Sequence, residues 1–356
     1  MRCSPLTRFP QAARSAGFTI VELLVSISIL GLLIALLMPA VQSTRESARK
    51  ATCHNHLHQF GLAIHAFEAT HKEYPRAAGP AKPHQKIVMS NQSVNFGDAL
   101  FGYSTHAQLL SHLDLAPIAN QLDFQQWARS ADDARTSPAQ DIARTIPVFQ
   151  CPSEGAEWGT SYRSCTGPAP TDVYHKPGRG IFARSKRTGV AHVTDGTSQT
   201  VMMSEKLHGG GVPGHFETQR DFWYTGVTPL ISNPEFQLVP AAEMLGYCGA
   251  FSNPATSYPF SGYDWMMHGH VHTAYNHVAG PNAMIPDCSG EVATPSASAP
   301  GILHNTSDTS SLSSFRASSA HTGGVFVLYA DGSVRFVSDQ VDIAVWRASA
   351  SIDLQD

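Results

Sequence analysis

The feature that most constrains this chain is an apolar run over residues 17–41 that contains one charged residue, Glu22. Its later part, Leu23 to Val41, is long enough to cross a bilayer as a helix, which takes about 20 apolar residues. The segment before the run carries three arginines and no acid, and such a positive flank favours a cytoplasmic N-terminus. The sequence therefore predicts a single-pass protein of the inner, cytoplasmic membrane, with a transmembrane segment over 23–41 and a periplasmic C-terminal region.

Glu22 does not fit an ordinary membrane anchor, because a carboxylate within a bilayer costs roughly 2.5–3.5 kcal/mol on insertion scales. One interpretation is that Glu22 lies at the interface and reaches water. The other is that it has a cationic partner. Cleavage after Gly17 would create an α-amine on Phe18, one helical turn from Glu22, and pairing within or between chains would offset much of the cost. If an amine of a neighbouring chain compensates the Glu22 charge better than the amine of its own chain does, the pairing favours assembly.

Residues 17–22, GFTIVE, resemble the prepilin processing motif of type IV pilins and type II secretion pseudopilins. The resemblance implies that a prepilin peptidase cuts after Gly17 and that Phe18 is then N-methylated. It also implies that Glu22, fifth in the mature chain, guides subunit docking in a filament. Pro39 falls where that family often has a proline, and it would kink or locally melt the helix because it lacks a donor.

Apolar spacing after the anchor predicts that the helix continues to about residue 72, shortly before Pro75. The predicted organisation is a leader over 1–17, a long helix over 18–72 and a soluble exported domain over 73–356. Near the C-terminus two apolar segments flank Asp331-Gly332, a typical hairpin turn. We therefore expect a hairpin over 320–338.

With these later segments, the chain looks like a large bacterial family of prepilin-like proteins of unknown function. That family is marked by a C-terminal His, nine residues and Asp-Gly, which here are His321, Asp331 and Gly332. The implied fold is α+β: a long N-terminal helix, membrane-embedded in its first half, on an antiparallel β-sheet with long inserted loops. At Glu154 the family usually has an aspartate. The other matching segments are His54–His65, Val148–Ser153, Ser161–Arg163 and Asp195–Ser198.

Five of the six cysteines lie beyond the leader, and an oxidising compartment would allow two disulfides among them. The pairs nearest in sequence are Cys151 with Cys165 and Cys248 with Cys288. Sequence alone does not determine connectivity, and a buried thiol is an equal alternative for each cysteine.

Histidine is abundant, and two patterns suggest a divalent metal such as zinc or copper. In an extended segment His268, His270 and His272 would share one face, where their imidazoles could converge on the ion; the alternative is a surface loop. On the predicted helix His54 and His58 lie one turn apart, which suits a metal pair or a solvated face. We expect no cofactor apart from such a metal.

His321 has two interpretations of its own. It could bridge to Asp331 across the predicted hairpin, or it could be a structural histidine that fixes the turn.

The chain contains no nucleophile elbow, zinc-protease motif, Walker A or dinucleotide-binding motif, so we expect no enzyme. Its basic residues are scattered, and we expect no nucleic-acid partner. The favoured hypothesis is a structural or assembly subunit of a type IV pilus or type II secretion-like system. Its partners would be the prepilin peptidase, the inner membrane and other pilin-like subunits. The alternative is a membrane-tethered ligand- or metal-binding module of the cell envelope.

Overall fold

The structure is a computed structural model of the 356-residue chain. The leader over 1–17, which ends with Gly17, and Phe18 lie outside the residues that it describes. The described residues are 19–79, 87–89, 92–94, 103–124, 145–156, 158–170, 178–182, 188–212, 214–225, 240–251, 257–290 and 312–353.

Helix α1 spans Ile20–His71, close to the predicted 18–72, and continues through Pro39. It begins with a reciprocal cap in which the Glu22 amide donates to Thr19 Oγ1, at 3.3 Å, and the Thr19 amide donates to Glu22 Oε2, at 2.9 Å. This arrangement is a capping box, which satisfies two of the amides that a helix start leaves unpaired. The helix ends where Lys72 adopts a left-handed conformation with φ of 61°.

The chain divides into two compact units, Met1–Ala48 and Arg49–Asp356. The larger unit includes the second half of α1, in which Cys53, Leu57, Phe60 and Ile64 are buried. Their spacing of three and four residues places them on one face of the helix. Phe60 stacks on Phe149 with the ring centroids 5.5 Å apart, so this face forms part of the main core.

After α1 the described chain forms short helices and strands separated by longer connections. The helices are α2 Thr105–Leu109, α3 Ala116–Ala119, α4 Ala241–Gly249 and α5 Ile343–Ala348. Turns of 3-10 helix cover Leu110–His112, Pro147–Phe149 and Val190–His192. The strands are β1 Ile87–Met89, β2 Gln92–Val94, β3 Tyr162–Cys165, β4 Val201–Glu205, β5 Phe222–Tyr224, β6 Ser257–Tyr258, β7 Ala274–Tyr275, β8 Asp287–Ser289, β9 Ser313–Ser314, β10 Gly324–Tyr329 and β11 Val334–Ser338.

The strands form two principal sheets and a separate β1–β2 pair. The five-stranded sheet has the order β11-β10-β4-β3-β7, and the four-stranded sheet has the order β6-β5-β8-β9. Both are mixed, because β3 pairs with β7 and β5 pairs with β8 in parallel. The α+β class is as predicted, but the expectation of an antiparallel sheet is wrong for these two pairs. Parallel pairing needs a long crossover, and the long connections from β3 to β7 and from β5 to β8 provide it.

The C-terminal hairpin lies where it was predicted. Strands β10 and β11 pair in antiparallel register from Gly324 opposite Ser338 to Leu328 opposite Val334. Gly332 has φ of 84°, a conformation that glycine adopts without steric penalty. The hairpin forms the edge of the five-stranded sheet through β11 and joins its centre through β10.

The two disulfides join Cys53 to Cys151 and Cys248 to Cys288. The second is the pair expected from the sequence. The expected Cys151–Cys165 bond is wrong, because Cys151 follows a turn that packs on α1 and meets Cys53, 98 residues earlier in the chain. Cys165 is instead buried at the end of β3, where its thiol hydrogen-bonds with Tyr275.

Candidate functional site

The first half of α1 exposes apolar side chains in every direction. Leu24, Leu30 and Leu36 are 53%, 57% and 67% exposed, although large apolar side chains are normally buried. The helix is long and apolar enough to cross a membrane. A helix that is apolar on all sides needs lipid or other protein around it.

The hydroxyl groups in and just after this segment bond to their own helix. Ser26 and Ser28 each donate to the carbonyl oxygen four residues earlier, at 2.7 Å, and Thr44 does the same at 2.9 Å. In an apolar medium, a hydroxyl without a partner costs several kcal/mol. The segment is therefore compatible with lipid despite its serines.

Glu22 is the one charged group of the apolar run, and its carboxylate is held at the start of α1. Glu22 Oε2 accepts hydrogen bonds from the Thr19 amide, at 2.9 Å, and from Thr19 Oγ1, at 2.8 Å. The side chain is exposed, so a cation can approach it. Its pairing with an amine on Phe18 remains a prediction, because Phe18 lies outside the described residues.

The structure does not assemble the predicted metal site at His268, His270 and His272. Residues 269–273 form a turn about Gly269, whose φ is 113°, so the three side chains do not alternate along a strand. They are not among the described side chains whose ligand atoms converge within 4.8 Å.

His270 has a structural environment. Its ring stacks on Phe315, and its two nitrogens lie 2.7 Å from Ser313 Oγ and 3.0 Å from Thr166 Oγ1. Burial lowers the pKa of His270 to about 3, with a further contribution from the charge of Arg163. The imidazole is therefore neutral and held by hydroxyl groups.

The histidines of α1 do not form a metal pair, which was one of the two alternatives for them. His54 packs edge-to-face on Phe326, with the ring centroids 5.7 Å apart, whereas His58 is exposed. Between them, His56 Nδ1 lies 2.9 Å from the Gln150 carbonyl oxygen. These side chains are not part of any converging ligand group among the described residues.

His321 and Asp331 have separate partners, so of the two interpretations of His321 the bridge across the hairpin is wrong. Asp331 Oδ1 accepts hydrogen bonds from the amide and hydroxyl of Ser333, at 2.9 and 2.6 Å, within its own turn. His321 Nε2 lies 3.2 Å from Glu205 Oε1 and 3.7 Å from Cys151 Sγ. The structure thus directs His321 toward the Cys53–Cys151 disulfide.

Four buried side chains meet at that point, which we call the Cys-Glu-His cluster: Cys53, Cys151, Glu205 and His321. Their ligand atoms all lie within 4.8 Å of one another. They come from α1, the segment after a 3-10 turn, the end of β4 and the loop before β10. Sequence reasoning missed Glu205 and the partner of Cys151. One signal could have pointed to the Cys53–Cys151 bond. Cys53 directly precedes one segment that resembles the prepilin-like family, and Cys151 lies within another.

Glu154 holds a second buried network. Its two oxygens accept hydrogen bonds from the His208 amide, at 2.6 Å, from Ser161 Oγ, at 2.7 Å, and from Arg220, at 3.2 Å. Burial alone would raise the pKa of Glu154, but the His208 charge and these bonds outweigh it and lower the pKa to about 2. The glutamate at this position is therefore an ionised structural group.

Asp287 is the centre of a third buried network. It pairs with the Lys206 ammonium and with Arg316, whose Nη1 lies 2.7 Å from Asp287 Oδ1, and all three side chains are almost fully buried. Burial lowers the pKa of Lys206 to about 8, although the charge of Asp287 opposes that shift. Each charge thus depends on the others for compensation.

An exposed apolar helix start with one capped carboxylate, continuous with an α+β domain, defines a pilin-like protein. A sequence profile described as the prokaryotic N-terminal methylation motif matches residues 12–38. A second profile, described as a protein of unknown function (DUF1559), matches residues 42–344. The chain therefore belongs to the DUF1559 family and carries a prepilin-type, membrane-anchoring N-terminus. No curated protein and no solved structure matches it.

Proposed function

We propose that this protein is a non-catalytic subunit of a type IV pilus or type II secretion-like assembly, inserted in the inner membrane before it is incorporated. The observation that carries the proposal is the exposed apolar half of α1 with Glu22 at its start. The match to the methylation motif over residues 12–38 supports processing by a prepilin peptidase.

The chemistry of the helix suggests why assembly would depend on Glu22. Within a bilayer, lipid is as apolar as leucine, so apolar contacts alone give little preference for another helix. A carboxylate at the membrane edge gains more from a cation on a neighbouring subunit than from lipid. The α-amine of a processed Phe18 is such a cation, and we propose that it pairs with Glu22 of the next subunit.

The orientation in this proposal places the N-terminus in the cytoplasm and the domain from Arg49 onward outside the inner membrane. Three arginines and no acid precede the anchor, which favours that direction. Two disulfides within the domain are typical of an oxidising compartment. The expected partners are the prepilin peptidase and other pilin-like subunits.

The test is to express the full chain with a prepilin peptidase and compare Glu22→Ala with Ser26→Ala. Both changes lie near the start of α1. Among the described residues, the Ser26 hydroxyl bonds only to the backbone of its own helix. Removing one partner of a desolvated charge pair costs about 3–5 kcal/mol, so Glu22→Ala should reduce cross-linked oligomers more than tenfold. Ser26→Ala should assemble like the wild type, and all three proteins should remain in the membrane fraction.

Mass spectrometry of the mature N-terminus accompanies this comparison. The proposal expects a methylated Phe18. A retained Met1, or full assembly of the Glu22→Ala protein, would overturn it in favour of a membrane-tethered binding module.

A further inference from the structure

The Cys-Glu-His cluster contains a buried carboxylate oxygen, Glu205 Oε1, that makes no hydrogen bond of good geometry among the described residues, although an imidazole nitrogen lies beside it. Glu205 Oε2 accepts from the Phe326 amide, at 2.8 Å, whereas Oε1 accepts no hydrogen bond from the described residues. This second oxygen faces His321 Nε2 across 3.2 Å. A buried polar atom in this condition calls for an explanation, such as an ion, a water molecule, a redox role or strain.

We propose that the reduced form of this protein binds one zinc-type divalent ion through Cys53, Cys151, Glu205 and His321, and that the Cys53–Cys151 disulfide is the closed state of that site. Thiolate, imidazole and carboxylate are the groups that zinc prefers, and four of them make a structural site. The inference concerns the domain and does not depend on the proposed role in assembly.

The observed separations agree with tetrahedral coordination. Bond lengths of about 2.3 Å to sulfur and about 2.0–2.1 Å to nitrogen or oxygen place neighbouring N and O ligands about 3.3 Å apart, and neighbouring S and N ligands about 3.6 Å apart. In the structure, His321 Nε2 lies 3.2 Å from Glu205 Oε1 and 3.7 Å from Cys151 Sγ. The two sulfurs must separate to about 3.7 Å, which rotation of the two side chains can provide.

The redox step uses a dithiol reductant. Two electrons and two protons pass from the dithiol to the Cys53–Cys151 bond, the S–S bond breaks, and the reductant becomes a disulfide. Binding of the ion then releases the two cysteine protons to solvent. Two thiolates, one carboxylate and one divalent cation leave a formal charge of −1, the same as in a Cys₃His zinc site.

The ion would replace the disulfide as the link between α1 and the rest of the domain. The four ligands belong to segments that are distant in sequence, and every one of them is buried. Reoxidation removes both thiolates and leaves only His321 and Glu205, so the ion should be expelled. The site therefore couples metal occupancy to the redox state of one cysteine pair.

The experiment uses the full chain in mild detergent without oxygen. A phosphine reductant opens the disulfides and is itself oxidised to the phosphine oxide with oxygen from water. Co²⁺ is then titrated as the spectroscopic probe. We expect one Co²⁺ per reduced chain, with thiolate-to-cobalt charge transfer and the visible bands of a tetrahedral ion, and no such bands for the oxidised chain.

Two double variants assign the site, because reduction also opens Cys248–Cys288. The C248S/C288S protein should keep the bands, and the C53S/C151S protein should lose them. His321→Ala and Glu205→Gln should each weaken binding by at least the roughly 10–100-fold that loss of an outer-sphere partner costs. His321→Cys should bind the ion more tightly than His321→Ala, since a thiolate is also a zinc ligand. If His321 were merely structural, the cysteine would not restore binding.

Circular dichroism of each variant in its oxidised state checks folding, except for C53S/C151S, which is compared with the reduced wild type. The inference is overturned if the reduced wild type binds no Co²⁺. It is also overturned if C53S/C151S binds as the wild type does, or if His321→Ala and Glu205→Gln both retain wild-type affinity.

Discussion

The two halves of α1 share one helix but differ in what surrounds their leucines. Leu30 in the first half is 57% exposed, whereas Leu57 in the second half is fully buried. In the first half apolar residues occur on all sides, and in the second they form a stripe. A helix with apolar residues on every side can bury them only against lipid or another chain. A helix with an apolar stripe on one face can bury that stripe against its own domain.

The charged groups show the reverse contrast: the one in the apolar run of α1 is exposed, whereas several in the larger unit are buried. In the first half of α1 the hydroxyl groups bond to the helix backbone, and Glu22 remains exposed. The larger unit instead buries whole ion pairs, such as Asp287 with Arg316. The folding stability of the larger unit should therefore depend on its buried ion pairs, whereas that of the anchor helix should not.

The largest expected effect comes from Asp287→Ala. The change leaves Lys206 and Arg316 buried without their shared counter-charge, and breaking a buried pair costs about 3–5 kcal/mol. Urea unfolding of the full chain in mild detergent should show this loss. Asp339→Ala is the control, because Asp339 bonds to Asn282 at the exposed surface, where a substitution should cost less than about 1 kcal/mol. Equal effects of the two changes would contradict the contrast between buried and exposed charge.

A smaller effect is expected from leucine truncation in the two halves of α1. Leu57→Ala removes a fully buried side chain and should lower the free energy of unfolding by about 2–5 kcal/mol. Leu30→Ala makes the same chemical change in the exposed half and should leave that free energy unchanged. The same urea titration measures both. If Leu30→Ala destabilised the domain as much, the first half of the helix would have to contribute to its folding.

The smallest effect concerns pH and separates buried from exposed histidines. Burial lowers the pKa of His106 to about 3, so below its usual pKa the unfolded chain binds a proton that the folded chain does not. Stability present at neutral pH is therefore lost as pH falls, by about 2 kcal/mol for this group between about pH 7 and pH 5. His106→Gln should remove that part of the slope, whereas His58→Gln, on the exposed face of α1, should leave the slope intact. Unfolding curves at a series of pH values check this, and equal slopes for the two variants would count against it.

Sequence reasoning predicted the features whose signals are local. The apolar run, the stripe after it and the Asp331-Gly332 turn led to a helix over 18–72 and a C-terminal hairpin, and the structure contains a helix over Ile20–His71 and the hairpin. Features that depend on distant contacts were missed. Cys53 meets Cys151 across 98 residues, and β3 pairs with β7 in parallel, because packing of α1 and long connections decide those neighbours.

The histidine pattern failed for a different reason. Alternation of His268, His270 and His272 implies a shared face only in an extended backbone, and Gly269 turns the chain there. Conversely, nothing in the local sequence marks Glu205 as a neighbour of His321. That contact exists because β4 and β10 lie side by side in the five-stranded sheet.

The Cys53–Cys151 bond also determines how the domain bears mechanical load. A pull on the anchor enters the larger unit at Arg49 and reaches Cys53 about one helical turn later. From there the tension passes through a covalent bond to Cys151 and bypasses the chain between them. The part of α1 after Cys53 therefore does not carry this tension, and the pull alone does not detach it from the domain. In a filament under tension, non-covalent packing of the helix on the domain would not be the weakest link.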